Sequence, residues 1–280
     1  MTTKNYNLLL LLTSVFFSNM SISQDFTGKA VYKTDRTIEI SLDSTKIQAD
    51  KMNSIQAQLR KAMQKEYELV FTTTASNWRE TEKLGEPSVA TSGIQIRIAG
   101  GGDDSLLYKN TKTQESIETK DVMGKLFLIS GAMKALNWEM TPETKQIGKY
   151  TCYKAIASRE VTNKVAVSVN GERTEEKKTN TETVTAWYTP DIPVNHGPDE
   201  FWGLPGLILE VSNGKKMMIC TKVVLNSGEQ IAIEIPSKGK PVTNEEFKGI
   251  MEKQLIMMQK MYGGGKKKGK DSAFTIKIGG

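Results

Sequence analysis

Between Tyr67 and Ile235 the chain returns repeatedly to one pattern, a short run of β-branched and aromatic residues broken by glycine, asparagine, aspartate or serine. The runs YELVFTTT, SNWRETE, GIQIRIA, SLLYKN, SIETKD, KLFLIS, KYTCYKAIASRE, TETVTAWYT, LILEV, KMMICTKVVL and QIAIEI are each too short for a stable helix, and most alternate apolar with polar positions. Parallel strands need crossover connections of a dozen or more residues, and most of these breaks are far shorter. The pattern therefore predicts an antiparallel sheet.

Two segments depart from it. Met52, Ile55, Leu59, Ala62, Met63 and Tyr67 recur at three and four residues, which predicts a helix from Ser44 to about Glu66. Phe247, Ile250, Met251, Leu255, Met258 and Met261 form a second such stripe. It is announced by Thr243 with Glu246 three residues on, the signature of a capping box, and Gly263 stops it. The expected fold is mainly β (α+β): a curved antiparallel sheet or half-barrel with two amphipathic helices packed on it. Asn170-Gly171 lies between two strand-like runs and predicts a type I′ hairpin at the tip of a charged β-arm, residues 161–183.

Lys4, the apolar run from Leu8 to Phe17 and the small-residue site at Ser21–Ser23 read as a signal peptide over residues 1–23. That run is about ten residues, against roughly twenty for a membrane span. No later stretch is longer, so no transmembrane segment is expected after cleavage. Residues 24–262 then form a single β-rich domain, and 263–280 a flexible basic linker and tail built on GGGKKKGK. The formal charge of +6 owes much to that tract. Nucleic acid is not an expected partner of an exported chain.

An exported chain with two cysteines, Cys152 and Cys220, is expected to join them in a disulfide. By the loop-entropy argument such a bond would contribute about 4 kcal/mol. His196 is the sole histidine, which excludes zinc-protease pairs, and no GxSxG elbow stands near it. AGGGDD at 99–104 continues into strand and carries two aspartates, so it reads as a turn and not a phosphate loop. No metal, cofactor or catalytic residue is expected. The methionines of the second helix read as packing residues in preference to copper ligands.

In FWGLPGLILEV, at 201–211, Pro205 sets φ and Gly206 tolerates a positive one, so Leu204–Leu207 predicts a type II turn, with Gly203, Pro205 and Gly206 as its structural residues. Upstream lies the polar, aromatic loop NHGPDEFW. A ligand site, on this reading, would combine His196, Asp199, Phe201 and Trp202 of the loop with Met251, Leu255 and Met258 of the second helix.

The same residues carry a resemblance. IGKYTCYKA at 147–155, AWYTPDIPV at 186–194 and GPDEFWGLPGLILEV at 197–211 resemble, in that order, the GLPGLI family of exported Bacteroidetes proteins. The resemblance implies a signal-bearing protein of the cell envelope, in the periplasm or associated with the outer membrane. Family members are often encoded beside outer-membrane β-barrel proteins of the TonB-dependent type, which implies such a barrel as partner. The expected function is a non-enzymatic binding or accessory protein for an outer-membrane component. Its alternatives are a periplasmic carrier of an apolar ligand such as a lipid, and a hydrolase.

Overall fold

The computed structural model describes residues 26–36, 38–42, 64–81, 89–91, 94–96, 105–169, 172–228, 231–263 and 274–278. The strands are β1 (Gly28–Arg36), β2 (Ile38–Leu42), β3 (Glu66–Phe71), β4 (Ala75–Glu80), β5 (Val89–Thr91), β6 (Ile94–Ile96), β7 (Leu106–Asn110), β8 (Glu115–Val122), β9 (Lys125–Ala132) and β10 (Glu139–Ile147). They continue as β11 (Tyr150–Val169), β12 (Glu172–Thr189), β13 (Leu207–Ser212), β14 (Lys216–Leu225) and β15 (Lys240–Thr243), followed by helix α1 (Asn244–Gly263) and β16 (Phe274–Ile278). Twelve strands make one open sheet in the order β10-β11-β12-β13-β14-β1-β3-β4-β7-β8-β9-β15; β2 pairs with β16 and β5 with β6 in two small sheets. Every pairing of the large sheet is antiparallel except that of β15 with β9.

Alternation decides which face is buried. In β1, Ala30, Tyr32 and Thr34 are buried while Lys29, Val31 and Lys33 between them are not, as a period of two requires. Tyr32 meets Trp78 edge-on at 5.4 Å, and Tyr67 stacks on the same indole at 4.8 Å. Leu69, Phe71 and Leu107 share this core with Val184, Ala186, Leu209 and Val211. β4 and β12 stand five strands apart in the sheet. They share a core because the chain between β12 and β13 is buried against both.

The β11–β12 hairpin outruns the sheet. β10 pairs with β11 only as far as Ile156, and β13 with β12 only from Thr185 to Thr189, yet β11 and β12 continue in register to Val169↔Glu172. Residues 157–169 and 172–184 therefore form a two-stranded ribbon beyond the sheet, about 40 Å long at ~3.4 Å per residue. The expected turn at Asn170-Gly171 lies outside the described residues, as do the signal peptide, the 99–104 turn and the lysine tract.

Two expectations are corrected. Among the described residues the pair of amphipathic helices packed on the sheet is not borne out. Most of the first, 44–66, lies outside the described residues, and Glu66, its expected end, opens β3. The second exists as α1, and its capping box forms as expected: the Thr243 amide donates to Glu246 Oε2 at 2.8 Å and the Glu246 amide to Thr243 Oγ1 at 3.2 Å. Yet α1 packs at one end of the sheet, through Phe247 and Ile250 against Phe127, Ile129 and Val242, and Met251 is 44% exposed. The face it was expected to cover is already filled by the loop described below.

The disulfide is the other correction: Cys152 and Cys220 are free, buried thiols. β12 and β13 lie between their strands. Three strand spacings of about 4.8 Å along the sheet compare with the ~4.4–6.8 Å between Cα atoms that a disulfide requires. Burial, the main cause in each case, pushes Cys152 up to about 11 and Cys220 up to about 12, so both stay protonated and unreactive.

Candidate functional site

The connection from β12 to β13, residues 190–206, looks polar in sequence and is nonetheless core. Ile192, Val194, His196, Phe201, Trp202 and Leu204 are all buried. A buried loop needs partners for its backbone, and this one finds them in itself and in β13. The Leu207 amide donates to the Ile192 carbonyl, Ile208 to His196 and Gly203 to Asn195, each at 3.0 Å. His196 and Trp202 form an isolated antiparallel bridge across the loop, and the Trp138 indole donates to the Trp202 carbonyl at 3.0 Å.

The turn inside the hexapeptide differs from the expected type II, which would join the Leu207 amide to Leu204. Here the Gly206 amide donates to the Leu204 carbonyl at 2.8 Å, an i→i+2 bond that makes a γ-turn around Pro205. The Leu207 amide is thereby free to reach Ile192, which pulls the start of β13 inward. Gly206 lies against the Thr189–Pro190 backbone, and a Cβ there would come within 2.5 Å of the Thr189 carbonyl carbon. Tyr32 holds the chain two residues on, its hydroxyl donating to the Ile208 carbonyl at 2.8 Å.

Lys109, on β7, is the centre of the loop's other half. Its side chain follows Leu107 on the inward face and is 1% exposed. The ammonium donates to the carbonyls of Gly197 at 2.7 Å, Asp199 at 2.5 Å and Phe201 at 3.3 Å. Three acceptors use its three protons. Burial lowers its pKa to about 8, opposed by the charges of Asp199 and Glu200. Asp199 takes a φ of +54° so that its carbonyl can turn inward, a conformation that aspartate tolerates better than most residues.

His196 is fully buried, with Nε2 3.1 Å from the Thr72 carbonyl. A carbonyl only accepts, so Nε2 carries the proton. Among the described residues Nδ1 has no hydrogen-bond partner. Burial, then the Lys109 charge, lowers the imidazole to about 3, with the Thr72 bond opposing. A folded value below the unfolded value of about 6.5 means that the unfolded chain takes up the proton first, so stability is lost as pH falls from about 6.5 toward 3. His196→Gln should flatten that acid limb by up to ~1.4 kcal/mol per pH unit, read from urea midpoints between pH 4 and 7. Equal slopes in the two proteins would contradict a buried neutral imidazole.

At the rim, charged groups tie the loop to the root of the arm. Arg159 binds Glu182 through Nε at 2.7 Å and Glu200 through Nη1 at 2.6 Å, and its guanidinium lies 5.6 Å from the Phe201 ring centre. Asn213 donates to the other oxygen of Glu182 at 2.9 Å, and Lys216 pairs with Asp199 at 3.1 Å.

The arrangement binds a loop. His196, Asp199, Phe201 and Trp202 are together, but three of them face the core; Asp199 alone is partly open, its side chain 39% exposed. Met251 is not brought to them, since among the described residues α1 touches β9 and β15, and the side chains of Leu255 and Met258 lie outside the described residues. Lys109 and Arg159 were missed in the sequence. Lys109's only signal is its inward position two residues after Leu107. Among the described residues no cluster of three His, Cys, Asp or Glu could hold a metal ion, and no helix is long and apolar enough to cross a membrane.

Residues 138–210 match the model of a family described as a protein of unknown function (Porph_ging). No curated protein matches the chain. Among solved structures it is similar to PNGF-II in its C2 and P21 crystals, at 16% identity in both and TM-scores of 0.47 and 0.46, over 81% of this chain and 33% of that one. The chain thus spans about a third of the length of those solved chains, and a likeness at this level carries no functional argument.

Proposed function

We propose that this chain is an exported protein of the GLPGLI type that acts in the periplasm by binding, as an accessory to an outer-membrane component. The contact element is the β11–β12 arm. One observation carries the reading: the hairpin runs thirteen residue pairs, Ala157↔Val184 to Val169↔Glu172, beyond the strands that flank it. A two-stranded hairpin is marginal in isolation. Its root, by contrast, is held by Arg159, Glu182 and Asn213 to a body whose interior is filled. A locked body presenting a long ribbon suits recognition by strand addition or by the ribbon's faces.

The partner expected from the resemblance is a β-barrel protein of the TonB-dependent type. With a photo-crosslinker at Thr179, the arm should capture such a barrel in the native envelope. Replacing Val161–Asn180 by a two-residue turn, which keeps the Glu160↔Thr181 pair and the Arg159–Glu182 contact at the root, with the probe moved to Ser158, should abolish capture while leaving the thermal midpoint within a few degrees. Capture that persists without the arm, or no barrel captured by the intact arm, would overturn the reading.

A further inference from the structure

We propose that the free edge of β11 pairs with the same edge of a second copy of this chain, giving a two-fold symmetric ribbon ordered β12-β11-β11-β12. This goes beyond the reading above and does not rest on it. Beyond Ile156 no strand among the described residues pairs with the outer side of β11, so its amides and carbonyls form a template for another strand.

The two edges of the arm differ in chemistry. Opposite Val161–Val169, β12 carries Glu172, Arg173, Glu175, Glu176, Lys177 and Lys178, the kind of charge that natural edge strands use to refuse partners. The outer stretch of β11, Val161–Val169, reads VTNKVAVSV, with Lys164 as its one charge. One edge is defended and the other is not.

Symmetry selects the register. A two-fold axis normal to the ribbon keeps each residue on its own face, so the axis must pass through a residue and opposed positions must differ by an even number. Through Val165 it sets Val161 opposite Val169, Thr162 opposite Ser168, Asn163 opposite Val167 and Lys164 opposite Ala166. Valine pairs and a Thr–Ser pair are favourable cross-strand neighbours, and no like charges meet. An axis through Lys164 would oppose two ammonium groups. The assembly also ends itself, because the ribbon's outer edges are then the two charged β12 strands, so growth stops at two copies.

Sedimentation velocity of the full chain over a concentration series should show the mass doubling with concentration. Val165→Lys and Val165→Glu each place like charges across the axis, and each should stay at the monomer mass. Mixed in equal amounts they should recover the dimer, since lysine then faces glutamate. Val165 lies on the ribbon nine pairs beyond the last pairing of β11 with β10, so the far-UV circular dichroism and thermal midpoint of both variants should match the wild type. A wild type that stays monomeric throughout, a Val165→Lys chain that dimerises like it, or a mixture that fails to re-associate would overturn the proposal. The Val165→Lys chain's crosslink to an outer-membrane barrel is a separate readout. Its survival leaves the proposed function standing whatever the mass shows.

Discussion

Lys109→Met should destabilise the fold by about 3–5 kcal/mol, the range seen when one partner of a buried charged interaction is removed. Methionine fills much of the same volume but donates nothing, leaving the carbonyls of Gly197, Asp199 and Phe201 without their shared donor inside the protein. The loss should be readable as a lower urea midpoint and, because Trp202 lies one residue beyond the clamp, as altered tryptophan emission before global unfolding. pH supplies a second signature. The folded chain releases the Lys109 proton near 8 and the unfolded chain near the ordinary 10.5. Between those values the unfolded state holds more protons, so the wild type gains stability as pH rises, by up to ~1.4 kcal/mol per unit from this group. The variant lacks that gain, and the gap between the two should widen from pH 8 to 10. The buried thiols act in the opposite direction above about pH 9, but equally in both proteins. A gap that stays constant with pH would show that Lys109 is not held as a buried ammonium.

Gly206→Ala should be comparably severe, about 4 kcal/mol or more, a size reached only by a short list of mechanisms. The added methyl would press on the Thr189 carbonyl and the Pro190 nitrogen, and these are backbone atoms of the strand end that launches the loop. A flexible side chain could step aside; this backbone cannot move without dragging β12. Gly203→Ala is the matched control. Gly203 has φ +94° but nothing within 4 Å of where its Cβ would go, so the expected cost is the backbone strain alone, about 1–2 kcal/mol. Thermal midpoints of the two variants should separate clearly. Equal midpoints would mean that the approach of residue 206 to Thr189 is not what holds the loop in place.

Much of the sheet was legible because alternation is a local property. Val184, Ala186 and Tyr188, in the run TETVTAWYT, announce their face by spacing alone, and the capping reciprocity of Thr243 and Glu246 needs only residues three apart. The loop was misread for the opposite reason. NHGPDE is polar and carries proline and glycine, the composition of a surface connection, and nothing local says that a lysine about ninety positions earlier will donate to its carbonyls. Lys109 itself reads as an ordinary polar residue at the end of a strand. The cysteines were misjudged because a count of two in an exported chain says nothing about how many strands lie between them. α1 was rightly placed along the chain and wrongly placed in space, since an apolar stripe shows that a helix packs without showing on what.

By itself the sequence determined the elements: short antiparallel strands, a long charged hairpin, a capped helix near the C-terminus, and a proline–glycine turn ahead of β13. Only the tertiary structure decided what those elements enclose. It filled the space between strands five apart with the loop from Pro190 to Gly206 and left both thiols unbonded. It also turned FWGLPGLILEV from a turn feeding a strand into a buried anchor. The physical reason is range: periodicity, capping and turn chemistry act over a few residues, whereas a buried ammonium and its three carbonyls exist only after strands distant in sequence have met.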